Sequence, residues 1–337
     1  MTKVPERVQP HAAVVYHPLK TDVAGLRSAV AAAEARAGWA PTRWYETEAV
    51  DRGTGAATRA LEEGASVVLG SGGDGTIRAI AETLRSSGVP LGIVPQGTGN
   101  LLARNLGMPL GNLAEAAEAA FFGRNRAIDL GIATIVREPD AAGASEEDEH
   151  AFLVLAGMGL DARVIRATKS TLKKRVGWLA YVDAGVRTMV KDKPLEIHYS
   201  MDGSELKPLT VYTVMIGNCG LLPGGVLLIP DASPDDGLLD VVALRPLGPF
   251  SWLRIWNKIG WENGVLRKTK AGRRIIDLVN DTKNVSYLRA REYALAVASP
   301  EPIQLDGDDF GLAVKVRGRV DPGALVVRVL PTWQVPE

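Results

Sequence analysis

With 337 residues, 46% of them hydrophobic and 23% charged, the chain has an ordinary globular composition and enough length for two domains of about 100–200 residues each. Its 39 basic and 39 acidic side chains cancel, which excludes attraction of nucleic acid through global charge and leaves only local clusters to meet an anionic surface. The one cysteine, Cys219, excludes an internal disulfide framework and fits a reducing cytoplasm. No segment is charge-free for long enough to span a bilayer, and Met1 to Glu6 lacks the apolar run of a signal peptide.

In chain order, Ala12 to Tyr16 reads as a strand, Val23 to Ala37 as an Ala-rich helix, Thr42 to Tyr45 as a strand, Gly55 to Glu62 as a helix and Ser66 to Leu69 as a third strand. This alternation predicts a parallel sheet. The third strand empties into Gly70-Ser71-Gly72-Gly73-Asp74-Gly75-Thr76, after which Ile77, Ile80, Ala81 and Leu84 fall on one helix face. Glycines here would permit positive φ and close approach of a ligand, and the N–H groups opening the helix favour anionic oxygens. Asp74 would repel those oxygens unless a divalent cation or a water lay between, so the loop points to a Mg²⁺-nucleotide.

Two other readings of this loop fail. The spacing Gly70-x-Gly72-x-x-Gly75 satisfies the dinucleotide fingerprint, but that motif belongs to the first strand of its unit and needs an acid about 20 positions on. Neither condition is met, since no Asp or Glu lies between Glu82 and Glu115. A Walker loop needs a Lys-Ser/Thr pair after its glycines, and none follows.

A fourth strand, Leu91 to Val94, opens into a second glycine turn, Pro95-Gln96-Gly97-Thr98-Gly99-Asn100, before a helix-like Leu101 to Leu106. Two such turns at the carboxyl ends of strands point to one ligand crevice. From Arg126 onward the pattern changes to short β-like runs: Ile128–Val136, Phe152–Ala156, Leu195–Ser200, Thr210–Gly217, Leu238–Leu244 and Ala324–Leu330. The predicted organisation is an α/β nucleotide-binding domain with a parallel sheet over 1–128 and a β-rich, sandwich-like domain over 129–337, the last residues packing back on the first. Glu138 to His150 reads as a mobile acidic loop, and Thr168 to Val190 as a helix.

A helix over Trp252 to Glu262 would gather Trp252, Leu253, Ile255, Trp256 and Ile259 on one face. Core packing and membrane contact compete to explain it. Trp261 on the polar side, followed by Arg267, Lys268, Lys270, Arg273 and Arg274, favours an anionic lipid surface. The cluster Lys169, Lys173, Lys174 and Arg175 reads as a solvated helix face.

Gly72 to Thr76 and Gly97 to Asn100 are followed in order by Gly157-Met158-Gly159-Leu160-Asp161-Ala162, by Gly217-Asn218 with Gly224-Gly225, by Pro230 to Asp240, and by Gln304-Leu305-Asp306-Gly307-Asp308. With these pieces the chain resembles, over nearly its whole length, the diacylglycerol-kinase catalytic-domain family, which includes bacterial lipid kinases and the sphingosine and ceramide kinases. The resemblance implies an ATP-binding N-terminal domain, a sandwich-like C-terminal domain, and transfer of the γ-phosphoryl group to a lipid hydroxyl in the cleft between them. It implies that Gly72, Gly73, Gly75, Thr76, Gly97, Thr98, Gly99 and Asn100 line the nucleotide, with Asp74 acting through Mg²⁺. It also implies a second, structural Mg²⁺ held by Asp236 with backbone oxygens of Ser233 and Leu238, although Pro234-Asp235-Asp236-Gly237 has equally the composition of a type I turn.

The family's general base is a Glu after Asp-Gly; here that position is Asp308, one methylene shorter, with Asp306 and Asp309 as near alternatives. His17-Pro18, Arg78 and Leu101 also depart from the usual pattern. The expectation is an ATP- and Mg²⁺-dependent lipid kinase of phospholipid metabolism, cytoplasmic and peripheral to the inner face of the membrane, with no nucleic-acid partner and compatible with a homodimer. The alternatives are an NAD kinase, disfavoured by Asp236-Gly237-Leu238 and by the lack of that family's Thr-rich glycine motif, and a nucleotide-responsive membrane-binding protein without activity.

Overall fold

The computed structural model describes residues 9–140, 143–159, 194–222, 226–227, 229, 231–245 and 285–333. The chain forms two units, one ending at Ile128 and resuming at Ala324, the other running Asp129–Gly323. The sequence-predicted helices at 168–190 and 252–262, with their basic clusters, fall outside the described residues, as do Leu160 to Ala162 and Gly224-Gly225. Among the described residues, no helix is long and apolar enough to cross a membrane.

The first unit runs β1 (His11–Tyr16), α1 (Val23–Ala37), β2 (Ala40–Glu46), α2 (Thr54–Glu62), β3 (Val67–Gly72), α3 (Asp74–Leu84), β4 (Leu91–Pro95), α4 (Leu101–Asn105) and α5 (Leu113–Phe122). Every residue of β1, β3 and β4 is buried, as expected of parallel strands covered on both faces. β2 pairs with β1, β1 with β3 and β3 with β4, all in parallel, so β3 and β4 lie side by side and end together at Gly72 and Pro95. After Ala324 the chain adds another parallel strand beyond β4, with Val327 opposite Leu91.

Local chemistry sets the helix ends. The Asp22 carboxylate accepts the Gly25 N–H at 3.0 Å to start α1, and Gly38 ends it at φ 65°, the left-handed conformation glycine adopts without cost. α5 is absent from the sequence reading because four of its buried residues are alanines, which give little hydrophobic contrast. Those small side chains let it lie close on the sheet; a Cβ at Gly92 would stand 3.0 Å from that of Ala120.

β5 (Arg124–Val136) carries the chain into the second unit, followed by β6 (Glu147–Phe152), β7 (Leu155–Gly159), β8 (Leu195–Met201), β9 (Lys207–Val211), β10 (Thr213–Gly217), β11 (Leu221–Leu222), β12 (Val226–Leu227), β13 (Leu239–Leu244), β14 (Val285–Ala290), β15 (Glu292–Leu305) and β16 (Asp308–Val329). Its pairings, unlike those of the first unit, are antiparallel: β14 with β13, β13 with β10, β10 with β7, and β7 with β15. β15 pairs with β16 along one side and with two successive neighbours along the other. Tyr293 to Val297 pair with β8, whereas Ile303 to Leu305 pair with β7, and the register breaks between Ala296 and Glu301 where the strand changes partner. Phe152, Ile197, Val214, Val241, Leu295 and Ile303 meet in one core.

The acidic stretch read as a loop ends earlier than expected, because β6 begins at Glu147 and pairs with β5 through Phe152. Its outward carboxylates, Glu147 and Glu149, meet Arg317 and Arg319 of β16 at 2.6 and 3.1 Å. The backbone ladder with β5 and the burial of Ala151 and Phe152 hold this strand, and the cross-strand ion pairs cover the charges that make hydropathy alone read it as polar loop.

Candidate active site

The two glycine turns of the first unit meet because β3 and β4 are neighbours in register. The Gln96 N–H donates to the Gly72 carbonyl at 3.1 Å, and a Cβ on Gly97 would lie 2.6 Å from the Gly73 Cα. A Cβ on Gly99 would lie 2.5 Å from Asp74 Oδ2, and one on Gly72 would strike Thr76 at 2.9 Å. Close approach of loop to loop therefore demands these glycines. The expected positive φ does not occur at any of them; the left-handed residue is Asn100, at φ 50°. Asn carries that conformation by bonding its own turn: its side-chain oxygen accepts from Gly97 N–H at 2.8 Å and its amide donates to Gly97 O at 2.9 Å.

Asp74 joins the two turns. Its Oδ2 accepts the Asn100 N–H at 3.0 Å and its Oδ1 the Leu101 N–H at 2.5 Å. The acid at the centre of the first loop is thus a brace for the second, a role not visible in the spacing. Gly73 caps α3, its carbonyl accepting from the N–H groups of Thr76 and Ile77 at 3.0 Å. Thr76 and Asn100 are buried, while Thr98 is exposed at the tip.

One residue beside the loop escaped sequence reasoning. A Cβ on Gly73 would come within 3.4 Å of Lys20 Nζ, so an exposed ammonium follows β1 and stands against the glycine turn. The signal available was position: the loop after β1 is on the same carboxyl edge as the loops after β3 and β4. The imidazole of nearby His17 is held below its usual pKa by burial and by the charge of Lys20.

In the second unit, Asp306 and Gly307 form the two-residue turn between β15 and β16, with φ of 49° and 82° and Leu305 opposite Asp308. Two left-handed residues in a two-residue hairpin are the type I′ arrangement, which Asp-Gly satisfies. The Asp306 carboxylate is buried and accepts the N–H groups of Leu153, Val154 and Leu155 at 2.8, 2.8 and 3.0 Å. Asp306 thereby positions the turn, and Asp308, half-buried, is the first residue after it. Asp309 is exposed and accepts the Gly311 N–H at 2.9 Å.

The Pro234 to Asp240 loop is held from beneath by Asp129, which is buried: its Oδ2 accepts the Gly237 N–H at 2.7 Å and its own N–H donates to the Pro234 carbonyl at 2.6 Å. Its Oδ1 accepts the Gly323 N–H at 2.7 Å. Asp236 Oδ1 accepts the Leu238 N–H at 3.0 Å, while its Oδ2 accepts from the Arg289 guanidinium. Ser233 Oγ bonds the Asp235 carboxylate at 2.8 Å. Burial pushes the Asp240 carboxyl up to about 6 against the opposing pull of Arg289. The same unit contains a cavity of about 250 Å³ lined by Ile197, Tyr199, Leu209, Val241 and Leu295, with Arg245 and Ser286 among its few polar neighbours.

Comparison with known proteins agrees with this architecture. Residues 11–133 match the diacylglycerol kinase catalytic domain and residues 154–329 the YegS C-terminal NAD kinase beta sandwich-like domain. The chain is 30% identical to a diacylglycerol kinase of Mycobacterium tuberculosis over 59% of its own length and 62% of that protein's. It is 27% identical to a diacylglycerol kinase of Bacillus subtilis over 77% of each chain. It spans only 52% to 62% of the length of several of the relatives it matches. A crystal structure of a diacylglycerol kinase from Bacillus anthracis covers 98% of this chain with a TM-score of 0.66 at 17% identity, a likeness of fold. The chain belongs to the diacylglycerol kinase catalytic-domain family, with the YegS-type sandwich as its second unit.

Proposed function

We propose that the protein is an ATP-dependent lipid kinase that transfers the γ-phosphoryl group to a lipid hydroxyl, diacylglycerol-like or sphingoid. The observation that carries this reading is the Asp74 brace, which fixes two glycine turns against one another at the carboxyl edge of a parallel sheet. Small residues there give phosphate oxygens access to the backbone, and Lys20 adds a positive charge on the same edge. Asp74, the carboxylate set between the two glycine turns, would meet a nucleotide-borne Mg²⁺ in this reading, since hard divalent cations take carboxylate oxygens. When bound with the nucleotide, Mg²⁺ would neutralise phosphate charge.

Asp308 is the acceptor-side group in this reading. The lipid oxygen attacks the γ-phosphorus, the bond from phosphorus to the β,γ-bridging oxygen breaks, and the hydroxyl proton passes to the Asp308 carboxylate. The rigid hairpin anchored by Asp306 supports that assignment over Asp306 itself, whose oxygens already accept three backbone N–H groups. The apolar cavity of the second unit is consistent with an acyl-bearing acceptor. The test is transfer of label from γ-labelled ATP to vesicles containing diacylglycerol, ceramide or sphingosine, with NAD as the competing acceptor. Label in a lipid, lost in Asp74→Asn, supports the reading; label in NAD alone would overturn it.

A further inference from the structure

The family resemblance implies a structural cation on Asp236 with oxygens of Ser233 and Leu238, and the residues present do not fit it. The β13–β14 register sets Arg289 directly opposite Asp240. From there its Nε reaches Asp240 Oδ1 at 3.1 Å, and its Nη2 reaches both Asp236 Oδ2 and the Asp231 carbonyl, the latter at 3.2 Å. The second Asp236 oxygen already accepts the Leu238 N–H. One planar cation thus gathers two carboxylates and a carbonyl from three points between Asp231 and Asp240. A hard divalent ion needs about six oxygens at short range, and a guanidinium already seated among these oxygens would repel it.

We propose that in this chain Arg289 takes the place of the structural cation and that the Pro234 to Asp240 loop folds without a metal. The remaining support is metal-free as well, since Asp129 pins both Pro234 and Gly237. The requirement for divalent cation is then confined to the nucleotide.

The test reads folding, not turnover, so its failure is separate from failure of the kinase reading. Thermal unfolding of the nucleotide-free protein is compared in EDTA and in excess Mg²⁺, since an ion that binds only the folded state raises Tm. The parent should unfold within about 1 °C in both, below the shift of about 2–4 °C that 1 kcal/mol produces in a domain of this size. Arg289→Gln should lose about 2–6 °C in EDTA and recover part of it in Mg²⁺, and adding Asp236→Asn should abolish that recovery without further loss in EDTA. Should Arg289→Gln fail to fold, Arg289→Lys keeps the charge and should remain indifferent to Mg²⁺. A saturable rise of the parent's Tm with Mg²⁺ that disappears in Asp236→Asn would overturn the proposal, as would an Arg289→Gln protein with the parent's stability.

Discussion

Two glycine-bearing acidic turns, Gly72 to Thr76 in the first unit and Pro234 to Asp240 in the second, look alike in sequence and are stabilised differently. Asp74 is held by two backbone N–H groups and Asp236 by one N–H and a guanidinium. N–H donors orient a carboxylate while leaving its formal charge in place; a guanidinium cancels that charge. In the proposed reading the first turn offers its carboxylate to a nucleotide-borne cation, whereas in the second the Arg289 guanidinium occupies the Asp236 carboxylate. What a carboxylate can do is set by its donors, which lie 26 and 27 residues away for Asp74, and two and 53 residues away for Asp236.

Substitutions at the two turns and the hairpin test this contrast. The largest effect is expected from Asp74→Asn, which places an amide donor against a backbone N–H: phosphoryl transfer should fall more than about 10³-fold with the far-UV circular dichroism unchanged. Asp308→Asn should lower kcat by about 10²-fold or more and leave the ATP KM near the parent's in steady-state assays. Asp308→Glu then separates two histories: a rise in kcat means that the shorter acid sits too far from the hydroxyl, and a fall means that the hairpin is tuned to it.

Asp306→Asn leaves buried N–H groups of Leu153 to Leu155 short of acceptors and should cost about 1–3 kcal/mol in urea unfolding, with kcat falling only through displacement of Asp308. The smallest change is expected from Lys20→Ala. An exposed ammonium contributes about 1 kcal/mol or less, so the ATP KM should rise about three- to fivefold with kcat little changed.

Much of the first unit is legible in the sequence because its parallel strands are continuous apolar runs and its helices amphipathic or capped. α1 coincides with its predicted span, Val23–Ala37. α5 escapes because alanine packs closely without announcing a face, and β6 because Arg317 and Arg319 lie about 170 residues along the chain from their glutamate partners. The glycine turns are recognisable from residue type alone. Their reason for being glycine is not, since close contact of Gly97 with Gly73 replaces the left-handed backbone that composition suggests. Lys20 and Arg289 escape for a related reason: nothing local marks a basic residue whose partners are delivered by sheet register.

The most direct test is a single-turnover assay of γ-labelled ATP with mixed lipid vesicles, run side by side on the parent, Asp74→Asn and Asp308→Asn proteins. Label should appear in a lipid hydroxyl for the parent and be lost in both variants, with ATP still bound by Asp308→Asn. Undiminished transfer by either variant, or label appearing only in NAD, would overturn the lipid-kinase reading.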